Sequence, residues 1–171
     1  MLLKDQVALI TGSGRGIGRA MALLFAQEGA LLFLTARTEK ELSATAAEIT
    51  RDGGTAAYLA GDLANVADCR AVFEQAVASF GRVDILVNNG GHYGPVVPVE
   101  QYPIEEFDRV MAVDLRAAFL FSQLALPGMY ERERGVILNI SSLSAKAAYS
   151  WGSAYAAAKA GLLGLTRYNA A

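Results

Sequence analysis

Five short apolar runs recur along this 171-residue chain: Val7–Ile10, Leu31–Thr35, Thr55–Leu59, Asp84–Val87 and Val136–Ile140. They are continuous rather than alternating. A strand with polar residues at every second position has one wet face, whereas a strand without that alternation must be covered on both. Between the runs, residues 17–29, 39–52, 66–80, 103–126 and a tail from 151 carry helical patterns. Strand–helix–strand repetition with right-handed crossovers predicts one α/β domain spanning residues 1–171, a doubly wound parallel sheet with helices on both faces.

Local punctuation agrees with these boundaries. Thr38-Glu39-Lys40-Glu41 has the form of a capping box. Asn65 is placed to cap the third helix, and Pro103 suits the first turn of the fourth. Gly29, Gly53, Gly81 and Gly128 fall where helices should stop.

Hydrophobic residues make up 53% of the chain and charged residues 19%, which excludes a solvated, disordered polymer. A net charge of −2 gives no general attraction to nucleic acid or to anionic lipid. The single cysteine, Cys69, has no disulfide partner and no ligand-spaced neighbours for zinc; it reads as a small hydrophobe on a helix. Met1-Leu2-Leu3 runs directly into Lys4 and Asp5, so no leader is expected. No apolar run approaches the ~18 residues of a membrane span. The expectation is a cytoplasmic protein without nucleic-acid or membrane partners.

Behind the first run stands T-G-S-G-R-G-I-G, residues 11–18, with four glycines in eight positions. A strand, a glycine-rich turn and a helix together make an anion site, because the helix N-terminus offers unpaired N–H groups and bare backbone lets a pyrophosphate approach. The spacing is neither GxGxxG, since Ile17 stands where its third glycine belongs, nor a P-loop. Thr11-Gly12-xxx-Gly16-x-Gly18 instead resembles the short-chain dehydrogenase/reductase family. That resemblance runs along nearly the whole chain, through Gly61-Asp62-Leu63, Asn88-Asn89-Gly90-Gly91, Asn139-Ile140-Ser141-Ser142 and Tyr155-Ala-Ala-Ala-Lys159. It implies a Rossmann-type sheet of strand order 3-2-1-4-5, with the family's last strands absent from this chain, and a homo-oligomer built through the long helices.

The resemblance also implies a nicotinamide dinucleotide held by Thr11, Gly12, Ser13, Arg15, Gly16, Ile17 and Gly18 in the turn. Arg37, Asp62, Leu63, Asn89, Gly90, Tyr155 and Lys159 complete the implied set. Folds that prefer NAD carry an acid at the end of the second strand, and a nearby arginine accommodates a 2′-phosphate. Here Ala36 takes the acid's place, Arg37 follows and Arg15 lies in the turn, so NADP(H) is favoured, with NAD(H) as the second choice. A solvated surface arginine is the plain alternative for either residue. Asn89 is as well suited to bracing the sheet end as to touching the cofactor. His92, the sole histidine, either lines the pocket or stands by.

Tyr155 and Lys159 are four residues apart, so on a helix the phenol and the ammonium share a face. A free tyrosine ionises near pH ~10. A cation at ~4 Å is worth about 4 kcal/mol at an effective dielectric near 20, which caps the lowering at roughly three units. Desolvation opposes ionisation and trims that figure. The resemblance assigns Tyr155 as the proton donor to a carbonyl, Ser142 as the group that polarises its oxygen, and Lys159 as the cation that also binds the nicotinamide ribose. Ser142 precedes Tyr155 by the family's thirteen residues, and Ser141 is its rival. No metal is implied. The stretch from Tyr155 to Arg167 looks like that of 3-oxoacyl-carrier-protein reductases, which points to a small or acyl-chain carbonyl substrate selected near His92–Val97 and Lys146–Trp151. An epimerase or dehydratase of the extended branch ranks lower on glycine spacing. A dinucleotide-binding regulator without turnover is the alternative from another class.

Two departures stand out. The chain stops at Asn169-Ala170-Ala171, inside the last helical pattern, which suggests the leading part of a longer protein. Val113-Asp114-Leu115 also replaces the family's Val-Asn-Leu, whose asparagine is the fourth catalytic residue. An aspartate only accepts hydrogen bonds; the readings are that Asp114 anchors the proton-relay water and pairs with Lys159, or that the chain is a modestly handicapped variant. Asp114→Asn is expected to retain or raise turnover, and a complete loss in a steady-state assay would contradict this.

Overall fold

The computed structural model of the chain describes residues 1–147 and 152–170. Five strands, β1 (Val7–Thr11), β2 (Leu31–Thr35), β3 (Thr55–Tyr58), β4 (Ile85–Asn88) and β5 (Val136–Asn139), form one sheet in the order β3-β2-β1-β4-β5. Every pairing is parallel. Ile10 sits opposite Leu34 on one side and Val87 on the other, so β1 is the central strand. Its five residues are all buried, which explains why no polar residue interrupts it.

The helices are α1 (Gly16–Gln27), α2 (Glu39–Arg51), α3 (Val66–Phe80), α4 (Ile104–Met111), α5 (Ala117–Glu131) and α6 (Ser153–Asn169). Alternate strand residues feed two cores. Leu9, Phe33 and Leu86 pack with Cys69 and Val72 of α3 and with Phe121 and Ala125 of α5. Ala8, Ile10, Leu32 and Leu34 pack with Ala22 of α1 and with Leu42 and Ile49 of α2. Cys69 is inert packing: burial pushes its thiol up to about 11.

Several terminators behave as read. Gly29, Gly53 and Gly81 all take positive φ, and the Asn65 side chain accepts from the N–H groups of Ala67 and Asp68. Pro103 lies one position outside the helix, as the N-cap of α4. The box at Thr38 does not close: Thr38 is the N-cap of α2, but its side chain makes no capping bond. Nor does Gly128 end a helix. Buried Met129 carries α5 on to Glu131, past an exposed Pro127 within the helix. The stop comes at Glu133, with φ 50°.

The fourth predicted helix is one helical stretch in three parts. Between α4 and α5, Ala112–Arg116 form a π turn. The whole stretch, Ile104–Glu131, has 28 residues and is apolar enough over part of its length to cross a membrane, contrary to the reading from uninterrupted runs. Its apolar residues Val113, Ala117, Leu120 and Phe121 are packed into the core instead.

Asp84, read as part of the fourth strand, lies just before it and ties the opposite end of the sheet. Its carboxylate accepts from the Val7 N–H at 2.9 Å and from Arg82 Nε at 2.8 Å, while Arg132 Nε lies 3.8 Å away. Asp84→Ala would strand a buried N–H and two guanidinium groups, so chemical denaturation should show a loss of about 2–3 kcal/mol. A change below about 0.5 kcal/mol would show that solvent replaces the carboxylate.

Candidate active site

The strands all point their C-terminal ends one way, and there a cleft of about 650 Å³ opens. Its floor is the glycine turn. Gly12 has φ 65°, and a Cβ on it would stand 2.7 Å from the Gly90 Cα. A Cβ on Gly18 would fall 2.3 Å from the Gly12 carbonyl oxygen, so α1 could not begin so close to the turn. Gly16 has nothing within 4 Å of its missing side chain and faces open space. Ile17, 66% exposed, and Arg15 line the cleft beside it.

Thr11 and Ser13 serve the turn from beneath. The Thr11 hydroxyl donates to the Val87 carbonyl and accepts from the N–H groups of Asn89 and Gly90. The Ser13 hydroxyl donates to the Thr35 carbonyl. Both residues are buried and neither lines the cleft. Asn89 does both jobs left open above: its amide donates to the carbonyls of Thr11 (2.9 Å) and Gly12 (3.2 Å), and it lines the cleft. A Cβ on Gly90 would stand 2.2 Å from Leu63 Cδ1, the movable end of that side chain.

At one end of the cleft, Ala36, Arg37 and Thr38 form the wall, with Arg37 exposed. Glu41 joins them, its carboxylate oxygen 3.1 Å from the would-be Cβ of Gly14. The sequence reading placed Glu41 only in a capping box, so its charge beside Arg37 was missed. Asp62 also lines the cleft. Its carboxylate accepts from the Ala64 N–H at 2.9 Å and pairs with Arg109 at 3.1 Å. The Ala64 N–H, aided by Arg109 and opposed by partial burial, holds this carboxyl below the usual range. Nothing in the sequence signalled the Arg109 partnership.

At the other end stand Tyr155 and Lys159, one turn apart on α6. The Lys159 amine is 5.4 Å from the Tyr155 ring centroid, and the Tyr93 ring packs on Tyr155 at 4.7 Å. Lys159, 3% exposed, donates to the Ile140 carbonyl at 3.0 Å and lies 3.2 Å from Asp114 Oδ1. The π turn brings Asp114 inward, where its other oxygen accepts from the His92 N–H at 2.8 Å. Burial pushes the Asp114 carboxyl up, against the pull of Lys159 and the His92 N–H. His92 lines the cleft, and its imidazole Nε2 lies 3.3 Å from Glu106.

The serines divide otherwise than expected. Ser141 lines the cleft and donates to the Lys159 carbonyl at 2.8 Å, fastening β5 to α6. The Ser142 hydroxyl caps the short turn Leu143–Ala145, accepting from the Ser144 N–H. Among the described residues, no hydrogen bond joins Ser142 to Tyr155. Of the substrate-selecting segment Lys146–Trp151, residues 148–151 lie outside the described residues.

The cleft fits a dinucleotide. Bare backbone and the N-terminus of α1 suit a diphosphate, and the arginines at one end suit a further phosphate. The added methyl of Gly18→Ala has no room, so dinucleotide affinity measured by fluorescence titration should fall at least ~10-fold. Unchanged affinity would show that the turn is not the phosphate cradle.

Comparison with known proteins agrees with this geometry. Residues 6–171 match the family model described as short chain dehydrogenase. An uncharacterized oxidoreductase of Thermotoga maritima is 39% identical over 170 residues, covering 98% of this chain and 65% of that protein. A D-beta-hydroxybutyrate dehydrogenase of Cupriavidus necator is 36% identical, covering 99% of this chain and 65% of that one. The crystal structure of a metagenomic short-chain oxidoreductase in complex with NADP superposes with a TM-score of 0.94 at 39% identity, over 98% of this chain and 76% of its own. The chain thus spans about 65% of the length of these curated relatives. With its glycine turn, parallel sheet and Tyr155/Lys159 pair in one cleft, this chain belongs to the short-chain dehydrogenase family.

Proposed function

We propose that this chain carries the dinucleotide and proton-transfer site of an NADP(H)-preferring oxidoreductase that interconverts a carbonyl and a secondary alcohol. The observation that carries the reading is the convergence of Tyr155 and Lys159 on the cleft whose floor is the glycine turn. When bound, the dinucleotide supplies the hydride. Tyr155 gives its phenolic proton to the carbonyl oxygen, and the Lys159 cation stabilises the phenolate left behind. Ser142 orients the carbonyl oxygen by hydrogen bonding once its turn presents the hydroxyl to substrate. Gly12, Gly16, Ile17 and Gly18 cradle the diphosphate, Thr11, Ser13 and Asn89 hold the cradle's shape, and Leu63, Asp62 and Gly90 border the adenosine side.

Arg15 and Arg37 favour a 2′-phosphate, while Glu41, which lines the same cleft beside Gly14, opposes it, which makes the preference a balance of charges. Support for the phosphate comes from the NADP complex of the similar structure. For substrate, the relative named for hydroxybutyrate supports a 3-oxo acid, and the reading extends to 3-oxoacyl thioesters.

The test is loss of NADPH absorbance with a panel of ketones and 3-oxoacyl thioesters. Tyr155→Phe should reduce turnover by ~10²-fold or more. NADPH binding without turnover on any of them would favour a binding protein. Arg37→Ala should weaken NADPH about 10-fold and leave NADH within about 2-fold, read by fluorescence titration. Equal losses for both would show that Arg37 does not face a 2′-phosphate.

A further inference from the structure

Asp114 is a buried carboxylate paired with a buried amine. Two donors converge on it from different elements: the His92 N–H on one carboxylate oxygen at 2.8 Å and the Lys159 amine 3.2 Å from the other. The residue is 1% exposed and its side chain fully buried, while Lys159 is 3% exposed, so solvent screens this pair little. The pair is also anchored. Lys159 keeps the Ile140 carbonyl, and a Cβ on Gly91 would fall 2.9 Å from Asp114 Oδ1.

We propose that Asp114 is a positioning residue that neutralises Lys159 and thereby raises the proton affinity of Tyr155, setting the pH at which that phenol exchanges its proton. The inference rests on Tyr155 being the proton donor proposed above. The chemistry is an electrostatic subtraction. Alone, the Lys159 cation favours the phenolate; a carboxylate against that cation cancels part of its field and adds repulsion of its own. The other ionisable groups around the pair do not replace this effect. Glu106 lies against the His92 imidazole, burial pushes the Tyr102 phenol up, and the Tyr93 ring packs on Tyr155. The Lys159 amine lies 5.4 Å from the Tyr155 ring and Asp114 lies against that amine, so this pair acts on the phenol.

The test reads Tyr155 directly and needs no turnover. Phenolate absorbance is titrated for the parent and for Asp114→Asn, each with its Tyr155→Phe counterpart subtracted, so that the other tyrosines cancel. The Tyr155 midpoint should move to lower pH by about one unit in Asp114→Asn, the scale expected for deleting one nearby buried charge. Asp114→Ser, which is smaller and still able to accept from the His92 N–H, should move it the same way. It serves if the asparagine variant does not fold. Coincident midpoints, or a move to higher pH, would overturn the inference, since a merely structural Asp114 leaves the midpoint in place. The two readings fail separately. Coincident midpoints with turnover lost in Tyr155→Phe overturn the coupling alone, whereas turnover that survives Tyr155→Phe overturns the catalytic assignment.

Discussion

Covering both faces of a parallel sheet leaves only the strand ends for polar chemistry, and the rest of this molecule follows from that constraint. β1 has no exposed residue and is flanked by two strands and two layers of helix. Its C-terminal end is therefore where backbone can meet a ligand, and the chain turns there on glycine. Because the strand order reverses beside β1, α1 and α6 approach the same crevice from opposite sides of the sheet's switch point. The dinucleotide cradle and the Tyr155/Lys159 pair become neighbours although some 140 residues of chain separate them.

Charge is used sparingly in this crevice. Beside Ala36 and Thr38, Arg15 and Arg37 are exposed and Glu41 lines the same cleft, so their fields are softened by water. Beside Tyr155, the Lys159–Asp114 pair is nearly inaccessible, and its field acts in a low-dielectric setting. An identical charge therefore matters more at Asp114 than at Glu41. The π turn makes the difference, because it widens the helix where Asp114 must face inward rather than toward the neighbouring turn.

Much of the fold was legible in the sequence. The five strands fall within a residue or so of their expected positions, because continuous apolar runs mark parallel strands. Two-sided burial holds for β1, β2 and β4 and not for β5, where Val136 and Leu138 are exposed. Gly29, Gly53 and Gly81 were readable because positive φ is a demand of the single residue. Gly128 misled, since whether a helix continues past Pro127 depends on what Met129 packs against. The Thr38 box misled likewise, as Glu41 lies against the glycine turn.

The residue types of the site were determined by sequence alone: a glycine spacing for phosphate, Tyr155 and Lys159 one helical turn apart, and an acid where an amide is usual. Partnerships were decided only by tertiary structure. Arg109 reaches Asp62, the Thr11 hydroxyl holds the β4 loop, Ser141 fastens α6, and Asp114 meets both Lys159 and the His92 N–H. The physical reason is range. Backbone conformation and helix faces depend on residues a few positions apart, whereas hydrogen bonds and ion pairs across the crevice depend on where separate elements come to rest.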